Sequence, residues 1–367
     1  MSAGPYERSG TDQPPSAAPP QPRLPWDGPF LFRSGAGTRP YFVYTPPGYR
    51  PGTSVPLLVM LHGCSQTPRG CSIGTWWNDL ADEHNMIVVY PGQTLAVAET
   101  TMTGNGTAPT DHPADDCWHD GNRDNCWNWF LPQHQTRDAG EPALIAGITH
   151  AVIANKQRWT IDESRIYVAG MSAGGAMAVI LGATYPDLFC AIAAHSAVEY
   201  QAATHLLGAV QVLAQGGPDP IVQGQQAFQV MGDRARLMPI FVAHGSADAR
   251  VNPINGDQVV RQWLETNRLA TAGGFTADLS RPTSDDRFGE SVPGGHPYRV
   301  RRWTDTAGTV VQEYWTVDGL GHAWSGGHWL GSFTDPRGPN VSRAMYAFLA
   351  RQRKNSQKAI ARDAAER

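Results

Sequence analysis

The chain predicts an α/β fold with a mostly parallel central sheet and helices on both faces. Three observations carry this expectation. Apolar strands and amphipathic helices alternate from about residue 40 to 350, the order that builds a parallel sheet with covered faces. The run from Arg165 to Gly175 reads as a short buried strand, a glycine-flanked turn and a helix of small apolar residues. With 367 residues and 41% apolar content, the chain can bury one large α/β core.

The elements follow in order. Tyr41–Tyr44 and Leu57–Leu61 read as strands, and Ile87–Tyr90 is a third, ended by Pro91-Gly92. Pro142 opens a helix with Leu144, Ile148 and Val152 along one face at spacing four. Ile166–Ala169 is a strand, followed by the helix after Ser172 and a strand at Ala191–Ala194. Pro239–Ala243 is another strand, Gln258–Thr266 a helix, and Val310–Val317 the last clear strand. No internal repeat is visible. Thr94–Asn125 and Gly273–Pro297 are longer than ordinary connections and are candidate lids or site walls.

Residues 1–28 form a Pro-rich segment, with seven prolines in the first 25 residues, and are expected to be disordered. One domain is expected over 29–350, then a charged tail over 351–367. The formal net charge is −4, so no nucleic-acid partner and no anionic membrane surface is expected. No apolar run approaches the roughly 18 residues of a spanning helix. The oligomeric state is not legible.

There are five cysteines: Cys64, Cys71, Cys117, Cys126 and Cys190. None forms a C-x-x-C pair, which argues against a zinc ribbon. Four lie between 64 and 126, where two disulfides would suit an oxidising compartment. Cys190 sits in an apolar run and reads as a buried thiol. The cysteines favour an extracellular protein. The first 25 residues lack the apolar stretch of a signal peptide, which keeps the cytoplasm as the alternative. Asp111–Asp124 matches no metal-binding spacing, so no metal is expected.

Gly170-Met-Ser-Ala-Gly174 has the G-x-S-x-G form of a nucleophile elbow. The serine sits on a turn so sharp that its neighbours two before and two after need almost no side chain. A serine hydroxyl is a poor nucleophile at neutral pH. It needs a base, an acid to orient the base, and donors for an oxyanion. Asp248 ends Pro239-Ile-Phe-Val-Ala-His-Gly-Ser-Ala-Asp248, a buried strand followed by a polar turn. That placement makes it the candidate acid. Asp257 competes but reads as a cap of the next helix. His322, in Gly319-Leu-Gly-His-Ala-Trp-Ser-Gly-Gly327, is the candidate base, with His296 and His328 as rivals. The N–H groups of Ala173 and Cys64 are the candidate oxyanion donors, because Cys64 follows a strand and Gly63 permits close approach. His62 and His244 each precede a glycine after a buried strand, and their alternative reading is structural. Trp127, Trp324 and His328 lie beside these motifs and are candidate substrate-binding residues.

These residues resemble the poly(3-hydroxybutyrate) depolymerase family of serine esterases, which is related to feruloyl and acetylxylan esterases. The resemblance rests on Leu61-His-Gly-Cys-Ser-Gln66, Cys126-Trp-Asn-Trp-Phe130, Gly140-Glu-Pro-Ala143, the elbow, Tyr185-Pro-Asp-Leu-Phe189, His244-Gly-Ser-Ala-Asp248 and the run around His322. It implies an α/β-hydrolase fold, with Ser172, Asp248 and His322 as nucleophile, acid and base, and no cofactor. It also implies a Cys64–Cys126 disulfide, which leaves Cys71 and Cys117 for a second bridge. The Thr94–Asn125 stretch is longer than the family pattern leads one to expect. The expected substrate is an ester: a short-chain polyhydroxyalkanoate or its oligomers, or alternatively a feruloyl or acetyl ester on plant polysaccharide. A non-catalytic binding protein on the same fold is the remote alternative.

Overall fold

A computed structural model describes residues 26–93, 124–275 and 278–354. The hairpin β1 (Asp27–Ser34) and β2 (Gly37–Tyr44) leads into β3 (Val55–Leu61). Two short helices, α1 (Pro68–Thr75) and α2 (Trp77–His84), precede β4 (Ile87–Pro91). Then come α3 (Gly140–Ala154), β5 (Ile161–Met171), α4 (Ala173–Thr184) and β6 (Ala191–His195). Helices α5 (Leu206–Gln215) and α6 (Pro220–Met231) lead to β7 (Ile240–Gly245) and α7 (Ile254–Ala270). Strands β8 (Ser284–Phe288), β9 (Tyr298–Thr304) and β10 (Val310–Val317) complete the sheet, and α8 (Val341–Leu349) closes the described chain.

The strand order is β1-β2-β4-β3-β5-β6-β7-β10-β9-β8. The six central strands, β4 to β10 in that order, run parallel. The two edges are antiparallel. The sequence explains the centre. Leu57, Val59 and Leu61 of β3 face one apolar cluster, and Leu58 and Met60 face the other. A strand buried on both faces must be apolar throughout. The first cluster is covered by α3, α4 and α7, through Ile148, Met177 and Trp263. The second is covered by α2 and α8, through Trp77, Leu80 and Phe348. Leu144, Ile148 and Val152, the expected face of α3, are buried.

Some expectations need correction. The Pro-rich segment was expected through residue 28, but β1 opens at Asp27, and Trp26 lies against Phe42 with ring centres 4.9 Å apart. The charged tail was expected from Arg351, but Gln352 is buried and donates to the Val310 carbonyl at 3.0 Å. Gly273–Pro297 is not a lid in its described part. It contributes β8 to the far edge of the sheet. That edge is held by Arg299 to Asp285, and by Arg302 to Asp286 and Glu313. Asp257 lies in the first turn of α7 rather than at its cap. Residues 1–25, 94–123 and 355–367 lie outside the described residues, and with them most of the Thr94–Asn125 stretch, Asp111 and Cys117.

Glu199, just past β6, is a buried carboxyl whose two oxygens have no hydrogen-bond partner. Burial, and then the nearby Asp219 charge, push it up to about 8. Its folded value is therefore raised above the unfolded one. The protonated group contributes its full stability below the ordinary carboxylate range and loses it as pH rises towards 8. Glu199→Gln cannot ionise. It is expected to stabilise the fold by up to about 4 kcal/mol at pH 8, with the gain fading towards pH 4. Urea midpoints of the two proteins across this range check it. A gain independent of pH would contradict it.

Candidate active site

Ser172 sits between β5 and α4 with φ 56° and ψ −123°. A non-glycine residue held there costs on the order of 1–3 kcal/mol, and such strain gathers at functional sites. The turn is made possible by its glycines. A Cβ on Gly170 would lie 2.2 Å from the Gly174 carbonyl oxygen, and a Cβ on Gly174 would lie 2.3 Å from that of Leu61. The Ser172 N–H donates to the His195 carbonyl at 2.9 Å, which fixes the turn against β6.

Asp248 follows β7 and His322 follows β10, so both stand with Ser172 at the carboxyl ends of parallel strands. The two loops are joined by backbone bonds. Ser246 N–H donates to the Val317 carbonyl at 2.9 Å, and Ala247 N–H to that of Leu320 at 3.0 Å. His322 Nδ1 lies 2.7 Å from Asp248 Oδ2, and its Nε2 lies 3.0 Å from Ser172 Oγ. With Nδ1–H donating to the carboxylate, Nε2 presents its lone pair to the serine hydroxyl. Asp248 Oδ1 accepts the N–H groups of Arg250 and Val251, each at 2.9 Å. Burial alone would push the Asp248 carboxyl up. Hydrogen bonds from His244 and His322, the His322 charge and the Val251 N–H outweigh it and hold the group well below the ordinary carboxylate range. The acid is therefore fixed as a carboxylate facing the imidazole.

His244 braces this loop. Its Nε2 donates to the Val251 carbonyl at 2.9 Å and lies 3.5 Å from Asp248 Oδ2. His195 lies beneath the site, and burial pushes it down to about 3. Its ring receives the Ser325 N–H at 3.3 Å and stacks on Trp324. His62 is likewise buried and pushed down to about 4, with Nδ1 bonded to the Gly63 carbonyl at 2.9 Å.

Ser172 opens onto a cavity of about 150 Å³ whose wall includes Cys64, Ala173 and His322. An apolar space of this size takes a benzene-sized group, enough for a short acyl chain. Ala173 is the first residue of α4, where a helix offers its N–H no internal acceptor. The loop carrying Cys64 is tied down on several sides. Gly63 N–H donates to Gln66 Oε1 at 2.7 Å, Gln66 Nε2 donates to the Ser332 carbonyl at 2.8 Å, and Asn125 donates to the Gln66 carbonyl. Four residues on the cavity wall have positive φ without being glycine: Ser65, Ser172, Ser196 and Phe333.

A disulfide joins Cys64 to Cys126. It closes a loop with a sequence separation of 62, for which chain entropy gives a stabilisation of about 4 kcal/mol. Cys126→Ser is expected to lose about 2–4 kcal/mol in urea unfolding and to lower turnover by loosening the Cys64 N–H. Reductant should move the wild type towards the variant and leave the variant unchanged. Equal responses of both proteins to reductant would contradict this. Cys71 is a buried free thiol in α1, pushed up to about 12 by burial, and its expected partner Cys117 lies outside the described residues.

The expected substrate-binding residues are corrected by their burial. Trp127 is 0% exposed, and its indole N–H donates to the His62 carbonyl at 3.0 Å, so it supports the Cys64 loop from below. Trp324 is 1% exposed and donates to Ser342 Oγ at 2.9 Å. His328 is 1% exposed, lies against Trp76, and takes the Leu330 N–H at 3.0 Å. None of the three lines the cavity. Trp129, Leu213, Arg250 and Phe333 do. Of these, only Trp129 carried a sequence signal, as a neighbour of the Cys126 motif. His296 pairs with Asp335 at 3.0 Å and is not beside Ser172.

Residues 39–100 and 113–282 match the family model described as Esterase PHB depolymerase. The chain belongs to this esterase family. The unmatched residues 101–112 fall inside Thr94–Asn125. Poly(3-hydroxyalkanoate) depolymerase C of Paucimonas lemoignei is 30% identical over 293 residues, covering 79% of this chain and 60% of that protein. Feruloyl esterase B of Neurospora crassa is 29% identical over 220 residues, 58% of this chain and 65% of that protein. Acetylxylan esterase A of Emericella nidulans is 27% identical over 297 residues, 77% of this chain and 79% of that protein. Among solved structures, an acetyl xylan esterase from Aspergillus awamori superposes with a TM-score of 0.61 at 18% identity, covering 85% of this chain and 94% of that one. That likeness is one of fold, the α/β-hydrolase fold. The chain spans 48–65% of the length of the first four curated relatives it matches. Among the described residues, no helix is long and apolar enough to cross a membrane.

Proposed function

We propose that this protein is a serine esterase acting on short-chain hydroxyalkanoate polyesters or their oligomers. The observation that carries the reading is the hydrogen-bonded series Asp248–His322–Ser172 at the mouth of a cavity, in a chain of the PHB depolymerase esterase family. Ser172 Oγ attacks the ester carbonyl and His322 Nε2 takes its proton. The N–H groups of Cys64 and Ala173 hold the oxyanion, a contribution of about 10²–10³ in rate per donor. Asp248 holds the imidazole tautomer and faces the imidazolium as it forms. The alcohol leaves with the proton from Nε2. Water then attacks the acyl-enzyme, giving its proton to Nε2, and the acid departs as Ser172 is restored.

The wall favours an apolar ester. Trp129, Met171, Val198, Leu213, Val251 and Phe333 line it. A second reading, an acetyl or feruloyl esterase on plant polysaccharide, is favoured by the names of the relatives that are 27–29% identical. An extracellular site of action fits the Cys64–Cys126 disulfide. Incubation with amorphous poly(3-hydroxybutyrate), acetylated xylan and feruloylated xylan tests the choice. Soluble hydroxybutyrate oligomers that vanish with Ser172→Ala support the first reading. Acetate or ferulate release without polymer clearing supports the second. No Ser172-dependent release from any ester would overturn both.

A further inference from the structure

Arg250 stands on the wall of the cavity beside the residues assigned above. Among the described residues that line it, Arg250 is the only one with a permanently charged side chain. No carboxylate of the described residues lies within ion-pair distance of it. Some arginines of the surface are matched, such as Arg299 to Asp285 and Arg343 to Glu83; what sets Arg250 apart is its place on the cavity wall. The Arg250 side chain is also placed. Its backbone N–H is bonded to Asp248 Oδ1, and its guanidinium lies over the Phe333 ring, 5.2 Å from the centre. Such a cation–ring contact holds the group in position. The Phe333 and His322 rings meet at a steep angle, with centres 6.2 Å apart.

A cation on this wall, with no carboxylate of the described residues beside it, offers a bidentate pair to an anion on the substrate. We infer that Arg250 is a specificity residue that binds a carboxylate carried by the substrate. Resting on the reading above, the ligand is the free carboxyl end of a short hydroxyacid oligomer. A linear oligoester of this kind ends in a carboxylate only a few bonds from its last ester linkage. The inference therefore places cleavage near that end, on soluble oligomers.

The test compares a hydroxybutyrate trimer as its free acid with the same trimer as its methyl ester, at neutral pH and low salt. The measured quantity is the ratio of their kcat/KM values. The wild type should prefer the free acid by about 10-fold, as expected for a charge-assisted pair, and added salt should shrink the preference. Arg250→Gln should abolish the preference, and Arg250→Lys should keep part of it. The side chain is exposed, so both variants are expected to fold. Equal turnover of acid and ester by the wild type, or a preference that survives Arg250→Gln, would overturn the inference and leave the esterase reading intact. If neither trimer is cleaved while p-nitrophenyl acetate is turned over through Ser172, the hydroxyacid reading falls and this inference falls with it.

Discussion

Replacing His322 by alanine is expected to lower kcat for a short p-nitrophenyl ester by about 10⁵-fold, with KM changed little. The size follows from the geometry. His322 is the group that meets both Ser172 Oγ, at 3.0 Å, and Asp248 Oδ2, at 2.7 Å. Without it the serine keeps its proton at neutral pH and attacks poorly. The N–H groups proposed to hold the oxyanion remain and would leave a residual rate. Asp248→Asn should cost about 10⁴-fold, because an amide facing Nδ1 favours the wrong tautomer. His296 and His328 provide the controls. The first is paired with Asp335 and the second is buried against Trp76. Steady-state kinetics on the three histidine variants decides the matter. A His322→Ala enzyme that kept a tenth of its activity would remove His322 from the role of base.

Gly174→Ala is expected to destroy the fold of the site and to cost more than about 4 kcal/mol, an exceptional loss for one methyl group. The added carbon would sit 2.3 Å from the Leu61 carbonyl oxygen and 2.5 Å from that of His62. Both are backbone atoms of the end of β3 and the loop after it, and no rotamer change relieves the clash. Either α4 moves away from the sheet or the loop carrying Cys64 is displaced. Gly289→Ala is the matched control, since a Cβ there meets no atom within 4 Å. Thermal and urea unfolding should separate the two variants. A Gly174→Ala protein with wild-type stability would contradict the packing at the elbow.

The parallel centre of the sheet was legible because its strands are apolar on both faces. Val310–Val317 in the sequence is β10 in the structure, residue for residue. The far edge, β8 and β9, was not legible for the opposite reason. Strand β8 reads Ser-Asp-Asp-Arg-Phe and β9 carries Arg299, Arg301 and Arg302. Cross-strand ion pairs hold them, and these leave no apolar period to read. Helix α5 goes against the usual burial rule: Leu206, Leu207 and Val210 face solvent, Ala209 and Val212 are buried, and Leu213 lines the cavity. At the site, residues at the ends of buried strands could be proposed from their positions. The tryptophans could not. In Cys126-Trp-Asn-Trp129, Trp127 turns under the loop because its N–H finds the His62 carbonyl, and Trp129 reaches the wall. Arg250 and Phe333 had no signal, since their meeting depends on two loops far apart in the chain.

The central claim is that Ser172 is an activated nucleophile, and covalent labelling tests it most directly. The protein would be treated with a fluorophosphonate, and the adduct located by intact mass and peptide mapping. The account predicts a single adduct on the peptide holding Ser172, none in Ser172→Ala, and a strongly slowed reaction in His322→Ala. No adduct on the folded wild type, or an adduct that persists in Ser172→Ala, would contradict it.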